Sequence, residues 1–167
     1  MVLEIKTYPD PVLKAQAEPI DAITEDVRAL ASNMAETMYE NNGIGLAAPQ
    51  VGQSCRLITV DISGPENRND LRVVLNPCIA VREGQTELEE GCLSLPGFKT
   101  RVPRAEKVTL TGQDLEGQDI EIEAEGLLAV CLQHELDHLE GMVLLDHASR
   151  LKRAMYQKKI KKCQPRN

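Results

Sequence analysis

Residues 133–141 read "QHELDHLEG", and within them His134 and His138 stand four positions apart with Glu135 beside the first. On a helix that spacing is about one turn, ~6 Å along the axis, so both imidazoles leave the same face. Two imidazoles so placed are half of a divalent-metal site. A neighbouring carboxylate can then serve a metal-activated water as general base, which is the logic of the H-E-x-x-H pattern. The surrounding sequence strengthens this reading. In "EGLLAVCLQHELDHLEG" (125–141) apolar residues fall at 127, 128, 130, 131, 132, 136 and 139, which predicts a helix buried on nearly all sides. A carboxylate there carries a large desolvation penalty unless something compensates it, and a nearby cation does.

A catalytic site of this kind needs a third protein ligand and one open position. The longer pattern H-E-x-x-H-x-x-G-x-x-H holds as far as Gly141, but its last position is Leu144. A downstream glutamate ligand is also excluded, because no glutamate follows Glu140. Asp146 and His147 remain downstream, beyond the helix stop at Gly141, where His147 also reads as an ordinary surface residue. Upstream, "EEGCLSLPG" (89–97) sets Cys92 in a tight turn, and its thiolate could complete a Cys-His-His set. Spacing alone leaves these alternatives open.

Several elements must position these groups. "TEDVRALASNMAETMYENN" (24–42) predicts an amphipathic helix with Val27, Leu30, Met34 and Met38 on one face, Thr24 as N-cap and Gly43 past its end. "CRLITVDI" (55–62) and "LRVVLNPCI" (71–79) predict strands across a polar loop. "KVTLTGQD" and "QDIEIEAE" predict a hairpin around Leu115-Glu116-Gly117 with one wet face. The helix of 125–141 follows, then a last helix in "HASRLKRAMYQKKIKK". This order predicts an α+β fold, with mixed or antiparallel sheets packed around the buried helix and further helices at the two ends.

A chain of 167 residues is expected to form one domain, 1–167, and 42% hydrophobic with 27% charged residues is ordinary for a globular protein. No apolar run reaches the roughly 18 residues of a membrane span, and the first residues carry no secretory or transit pattern, so the expected compartment is the cytoplasm. Five scattered cysteines without a C-x-x-C pair argue against a disulfide framework and a zinc ribbon. The net charge of −7 is uneven: residues 1–149 hold 11 basic against 26 acidic side chains, whereas 150–167 hold eight basic and no acidic ones. That tail could dock electrostatically on a nucleic-acid-rich particle or be a solvated helix. Four aromatics in the whole chain are too few for a base-stacking surface, so DNA is not expected as substrate.

Three segments, "GIGLAAPQVG" (43–52), "EGCLSLPG" (90–97) and "QHELDHLEG" (133–141), resemble in this order the three signature motifs of the peptide deformylases. The likeness runs from "YPDPVLK" through "VPRAEKV" (102–108) to the final helix, as in the bacterial type with a C-terminal helix. It implies an enzyme that removes the formyl group from the initiator methionine of nascent chains. It also implies Cys92, His134 and His138 as metal ligands, with Fe²⁺ in the cell and zinc or nickel able to occupy the site. Glu135 would be the general acid and base, while the Gln50 amide and the Leu93 backbone N–H would polarise the formyl oxygen. Gly45 would let the substrate backbone approach closely. Ile44, Leu95, Leu127, Val130 and Cys131, in or beside the motifs, are expected to line the methionine pocket. Glu90 and Arg104 resemble family positions that pair near the site and orient the ligands.

The resemblance has two departures. Lys99 stands near where many members carry an arginine that contacts the substrate, and lysine makes no bidentate contact. Asn42 replaces an acidic residue often found before the first motif. The rival readings are a metallopeptidase that cuts internal peptide bonds, and a non-catalytic member that docks on ribosomes through the basic helix.

Overall fold

The computed structural model describes residues 1–163, so the end of the predicted basic tail, 164–167, lies outside the described residues. Thr24 caps the first helix, α1 (Glu25–Glu40), by accepting from the Val27 N–H at 3.3 Å. Met34 and Met38 are fully buried on its inner face, as the periodicity predicts. A short strand β1 (Gly45–Ala47) leads into a 3-10 turn (Ala48–Val51), then β2 (Leu57–Val60) and the long β3 (Arg72–Glu83).

The strands β4 (Thr86–Gly91) and β5 (Lys99–Arg104) pair antiparallel as a separate two-stranded sheet, which the sequence reading does not contain. β6 (Lys107–Gln113) and β7 (Asp119–Glu125) form the predicted hairpin. The larger sheet runs β1-β2-β3-β6-β7, with every neighbouring pair antiparallel. The pairing of β3 with β6 shifts register twice, between Ile79 and Val81 and between Leu75 and Cys78, where Asn76 has φ 51°. Asparagine tolerates that left-handed conformation. Its side chain also ties the bulge to the N-terminal segment by bonding both the N–H and the carbonyl of Ile20, at 2.8 and 2.9 Å.

The central helix α2 (Gly126–Leu139) lies against this sheet, with Leu128, Ala129, Leu132 and Leu139 packed on Ile58, Val60, Val74 and Leu110. It is not apolar-buried all round. Leu127 is 47% exposed, because the first turn of α2 leaves the end of β7 with only one side against the sheet. A 3-10 turn (Leu144–His147) and α3 (Arg150–Cys163) complete the chain. Tyr156 of α3 is buried against Phe98, and its hydroxyl donates to the Pro96 carbonyl at 3.2 Å, so the last helix braces the segment after Cys92.

Beneath β1, the Tyr39 hydroxyl donates to Asp61 Oδ2 at 2.5 Å, with both residues buried. Burial raises the Asp61 pKa, but hydrogen bonds from Ser63 and Tyr39 outweigh it and hold the carboxyl below its ordinary range. A depressed folded-state pKa contributes stability above the unfolded value, near 3.9, that is lost as pH falls through the lower folded value. We expect Tyr39→Phe to destabilise the protein by about 2 kcal/mol near neutrality. The deficit should shrink as pH falls below about 4, toward the lower value at which Asp61 of the folded wild type takes up its proton. Urea denaturation across pH 3–7 measures this, and a deficit independent of pH would contradict the assignment.

Candidate metal centre

Cys92 follows the end of β4, and its Sγ lies 3.3 Å from Nε2 of His138. The ligand atoms of Cys92, His134 and His138 all fall within 4.8 Å of one another, the one such cluster among the described residues. α2 projects both histidines toward the β4–β5 turn, with ring centroids 5.1 Å apart. The other downstream candidates are elsewhere. His147 bonds Asp137 at 2.9 Å, and Asp146 accepts from the Val143 N–H at 2.9 Å.

The donor set fits a divalent transition metal, being one sulfur and two imidazole nitrogens in a buried pocket. Two further features agree with a cation-centred site. Glu135 is 3% exposed and its Oε2 has no hydrogen-bond partner, an arrangement that is unfavourable without a compensating group. Nδ1 of His134 meets Glu90 Oε1 at 3.0 Å, which leaves Nε2 facing the cluster.

Charges around the cluster are ordered. Burial, the largest influence, pushes the Glu135 carboxyl up to about 7; His134 opposes that rise and Asp137 adds to it. Burial lowers both imidazoles. His138 ends well below its ordinary value, whereas hydrogen bonds to Cys92 and Glu90 and the charge of Glu135 lift His134 well above it. Burial also raises Glu90, but hydrogen bonds from His134 and Arg104 outweigh it and keep the carboxylate ionised. Arg104 grips Glu90 with Nε and Nη2 at 3.0 and 2.9 Å, as expected of the pair, and its Nη1 donates to Asp137 at 2.7 Å. Cys131 differs from Cys92: buried beside Glu135, its thiol is pushed well above its ordinary value and its S–H points to the Ile44 carbonyl at 3.7 Å. It is held as a neutral thiol.

Gln50 is 1% exposed and fixed at both ends of its amide. Its Oε1 accepts from the Ala47 N–H at 2.9 Å, and its Nε2 donates to Ser94 Oγ at 3.1 Å and toward Cys92 Sγ at 3.5 Å. The amide N–H groups therefore face the cluster. A cavity of about 500 Å³ opens over it, lined by Gln50, Cys92, Leu93, His134 and Glu135. Ile44, Gly45, Leu95, Leu127, Val130 and Cys131 all border the same cavity. Leu95 is fully buried at its base and Leu127 stands at its mouth. Gly45 also meets a packing constraint: a Cβ there would stand 2.8 Å from both Cys131 Sγ and Glu135 Oε1. The space is taken by α2, and the glycine lets β1 lie on the helix. Lys99 also borders the cavity, at its β5 side.

Sequence reasoning missed Ser94, which orients Gln50, and Asp137, which extends the Glu90–Arg104 pair. Asp137 had a visible signal. It is a second carboxylate on the same helix as Glu135, and the same question of compensation applies to it.

Residues 2–154 match the family model described as polypeptide deformylase. The chain is 57% identical over 160 residues to a peptide deformylase of Thermodesulfovibrio yellowstonii, covering 96% of this chain and 97% of that one. It is 48% identical over 164 residues to one of Acidobacterium capsulatum, covering 98% and 96%. Among solved structures, a peptide deformylase from Legionella pneumophila superposes with TM-score 0.91 at 42% identity, over 99% of this chain and all of the other. The Ehrlichia chaffeensis peptide deformylase in complex with actinonin gives TM-score 0.90 at 36% identity, over 99% of each.

Proposed function

The chain belongs to the peptide deformylase family, metal-dependent hydrolases that act on formylmethionyl nascent peptides, and from that premise we propose the roles of its individual residues. Cys92, His134 and His138 hold the metal, and Fe²⁺ is the working ion, with zinc or nickel able to replace it; the donor set suits either class. The observation that carries the reading is the convergence of these three donors beside a buried Glu135 whose Oε2 has no hydrogen-bond partner.

A divalent cation held by these three residues would supply Lewis acidity and lower the pKa of a water at the site to about 7. Glu135 takes a proton from that water as its oxygen bonds to the formyl carbon, and the carbonyl π electrons move onto the formyl oxygen. Gln50 Nε2 and the Leu93 N–H donate to this oxygen. Gln50 is already oriented by Ala47 and Ser94, so little reorganisation is needed. On collapse the C–N bond breaks, Glu135 returns its proton to the leaving amine, and formate and a free N-terminal methionine depart. The methionine side chain sits among Ile44, Leu95, Leu127, Val130 and Cys131. Lys99 offers the following peptide backbone a single charge instead of a bidentate clamp.

Residues 1–167 are taken as one catalytic domain. The reading sets it in the cytoplasm, where formylated chains are made, and no helix among the described residues is long and apolar enough to cross a membrane. The test is formate release from formyl-Met-Ala-Ser by protein purified without oxygen, with bound metal quantified in the same sample. Release in proportion to iron supports the reading; metal-loaded protein that instead cuts internal peptide bonds supports the peptidase alternative.

The exposed basic face of α3 is proposed as a ribosome-docking surface. Deletion of α3 is a poor test, because it would strip Tyr156 from Phe98. Exchanging the exposed Lys158, Lys161 and Lys162 for glutamine keeps the helix. It should weaken co-sedimentation with ribosomes at low salt and leave peptide turnover unchanged. Unaltered co-sedimentation would remove the docking role.

A further inference from the structure

The contact between Glu90 and Nδ1 of His134 is the inner end of a longer chain of hydrogen bonds. Glu90 is gripped by Arg104, and Arg104 Nη1 donates to Asp137 Oδ2 at 2.7 Å. The same carboxylate oxygen receives Nε2 of His147 at 2.9 Å. The carboxylate only accepts, so this ring nitrogen carries the hydrogen. Four elements contribute: α2, β4, β5 and the turn Leu144–His147.

His147 is delivered to this point by a fixed backbone. Leu144 and Leu145 are each 2% exposed in the cluster beneath the turn, and Arg153 donates to the Leu145 and Asp146 carbonyls at 3.2 and 3.3 Å from outside. Asp137, by contrast, is only partly shielded: its side chain is 24% exposed. Between Arg104 and His147 it has two donors on one oxygen; without His147 its carboxylate has a free path toward water. Arg104 transmits any such change, because its guanidinium is a rigid plane whose opposite edge holds Glu90.

We propose that His147 is a positioning residue of the metal centre: by fixing Asp137 it fixes the Arg104 guanidinium, which keeps Glu90 on Nδ1 of His134. It touches neither cation nor substrate, and the proposal rests on the reading that Cys92, His134 and His138 hold the metal. Hydrogen-bond partners that orient a metal-bound imidazole typically change affinity 10–100-fold when removed. Because His147 acts through intervening residues, the expected effect is smaller, about 3–10-fold.

The test loads the protein with Co²⁺ and follows cobalt absorption and the rate of metal loss to a chelator, together with thermal stability. His147→Ala should release cobalt about 3–10-fold faster and alter the absorption band. His147→Gln, whose Nε2 can donate to Asp137, should restore both. Tyr39→Phe is the control, destabilised at a remote site and expected to hold cobalt as the wild type does. Wild-type release rates in His147→Ala would overturn the proposal. So would accelerated release in Tyr39→Phe to the same degree, since stability alone would then explain the effect. Cobalt binding that survives Cys92→Ala unchanged would instead overturn the metal reading itself, and this proposal with it.

Discussion

Replacing Glu135 with alanine should leave the metal bound and lower formate release by about 10²–10⁴-fold, the range that a positioned general base and acid supplies. Both parts follow from its place. Glu135 is not among the three clustered donors, so metal content should survive. Its carboxyl, pushed up to about 7 by burial, is suited to both taking and returning a proton near neutral pH, so turnover should not survive. Stability supplies a third reading. Oε2 is buried without a partner, and such a group costs about 1–3 kcal/mol. Stripped of metal, the alanine variant should therefore be at least as stable as the metal-free wild type, even with the small cavity it leaves beside Gly45. Metal analysis and single-turnover formate release on loaded protein, with urea denaturation on metal-free protein, check all three. Loss of metal on substitution would make Glu135 a ligand and undo the proposed division of roles.

Cys92→Ala is expected to weaken metal binding on the order of 10³-fold, since ligand sets of this kind bind with roughly 10–16 kcal/mol shared among about four donors. His134 and His138 would remain on one helix face, but two imidazoles without the thiolate leave most of the coordination to water. No neighbour can readily substitute. His147 is engaged by Asp137 and Asp146 by the Val143 N–H, while Cys131 is held as a neutral thiol beside Glu135. The fold should tolerate the change, because Cys92 is only half-buried and its turn is braced by Tyr156 through Pro96 and Phe98. Equilibrium dialysis against buffered zinc measures the affinity. An unchanged value would mean that the site takes its third donor from elsewhere.

The sequence by itself determined the elements whose information is local. The Thr24 cap and the Met34–Met38 stripe define α1, and alternation defines the β6–β7 hairpin. The four-residue spacing of His134 and His138 sets two imidazoles on one face of α2, because a helix repeats every 3.6 residues whatever surrounds it. The motif order, by its resemblance to a known family, also pointed to Cys92. What spacing could not decide was whether Cys92 meets those histidines: forty-one residues, with strands of both sheets, lie between it and His134, and only the antiparallel pairing of β4 with β5 and of β6 with β7 brings the turn back over α2.

The same holds for exposure at Leu127, which depends on where α2 leaves the sheet, and for Gly45, whose constraint is the neighbouring helix. It holds most for His147, which sequence gives as a surface residue and the fold joins through Asp137, Arg104 and Glu90 to His134. Local periodicity fixes which face a side chain takes. Its hydrogen-bond partner is fixed only when separate elements pack, since short-range polar contacts depend on positions within a few tenths of an ångström.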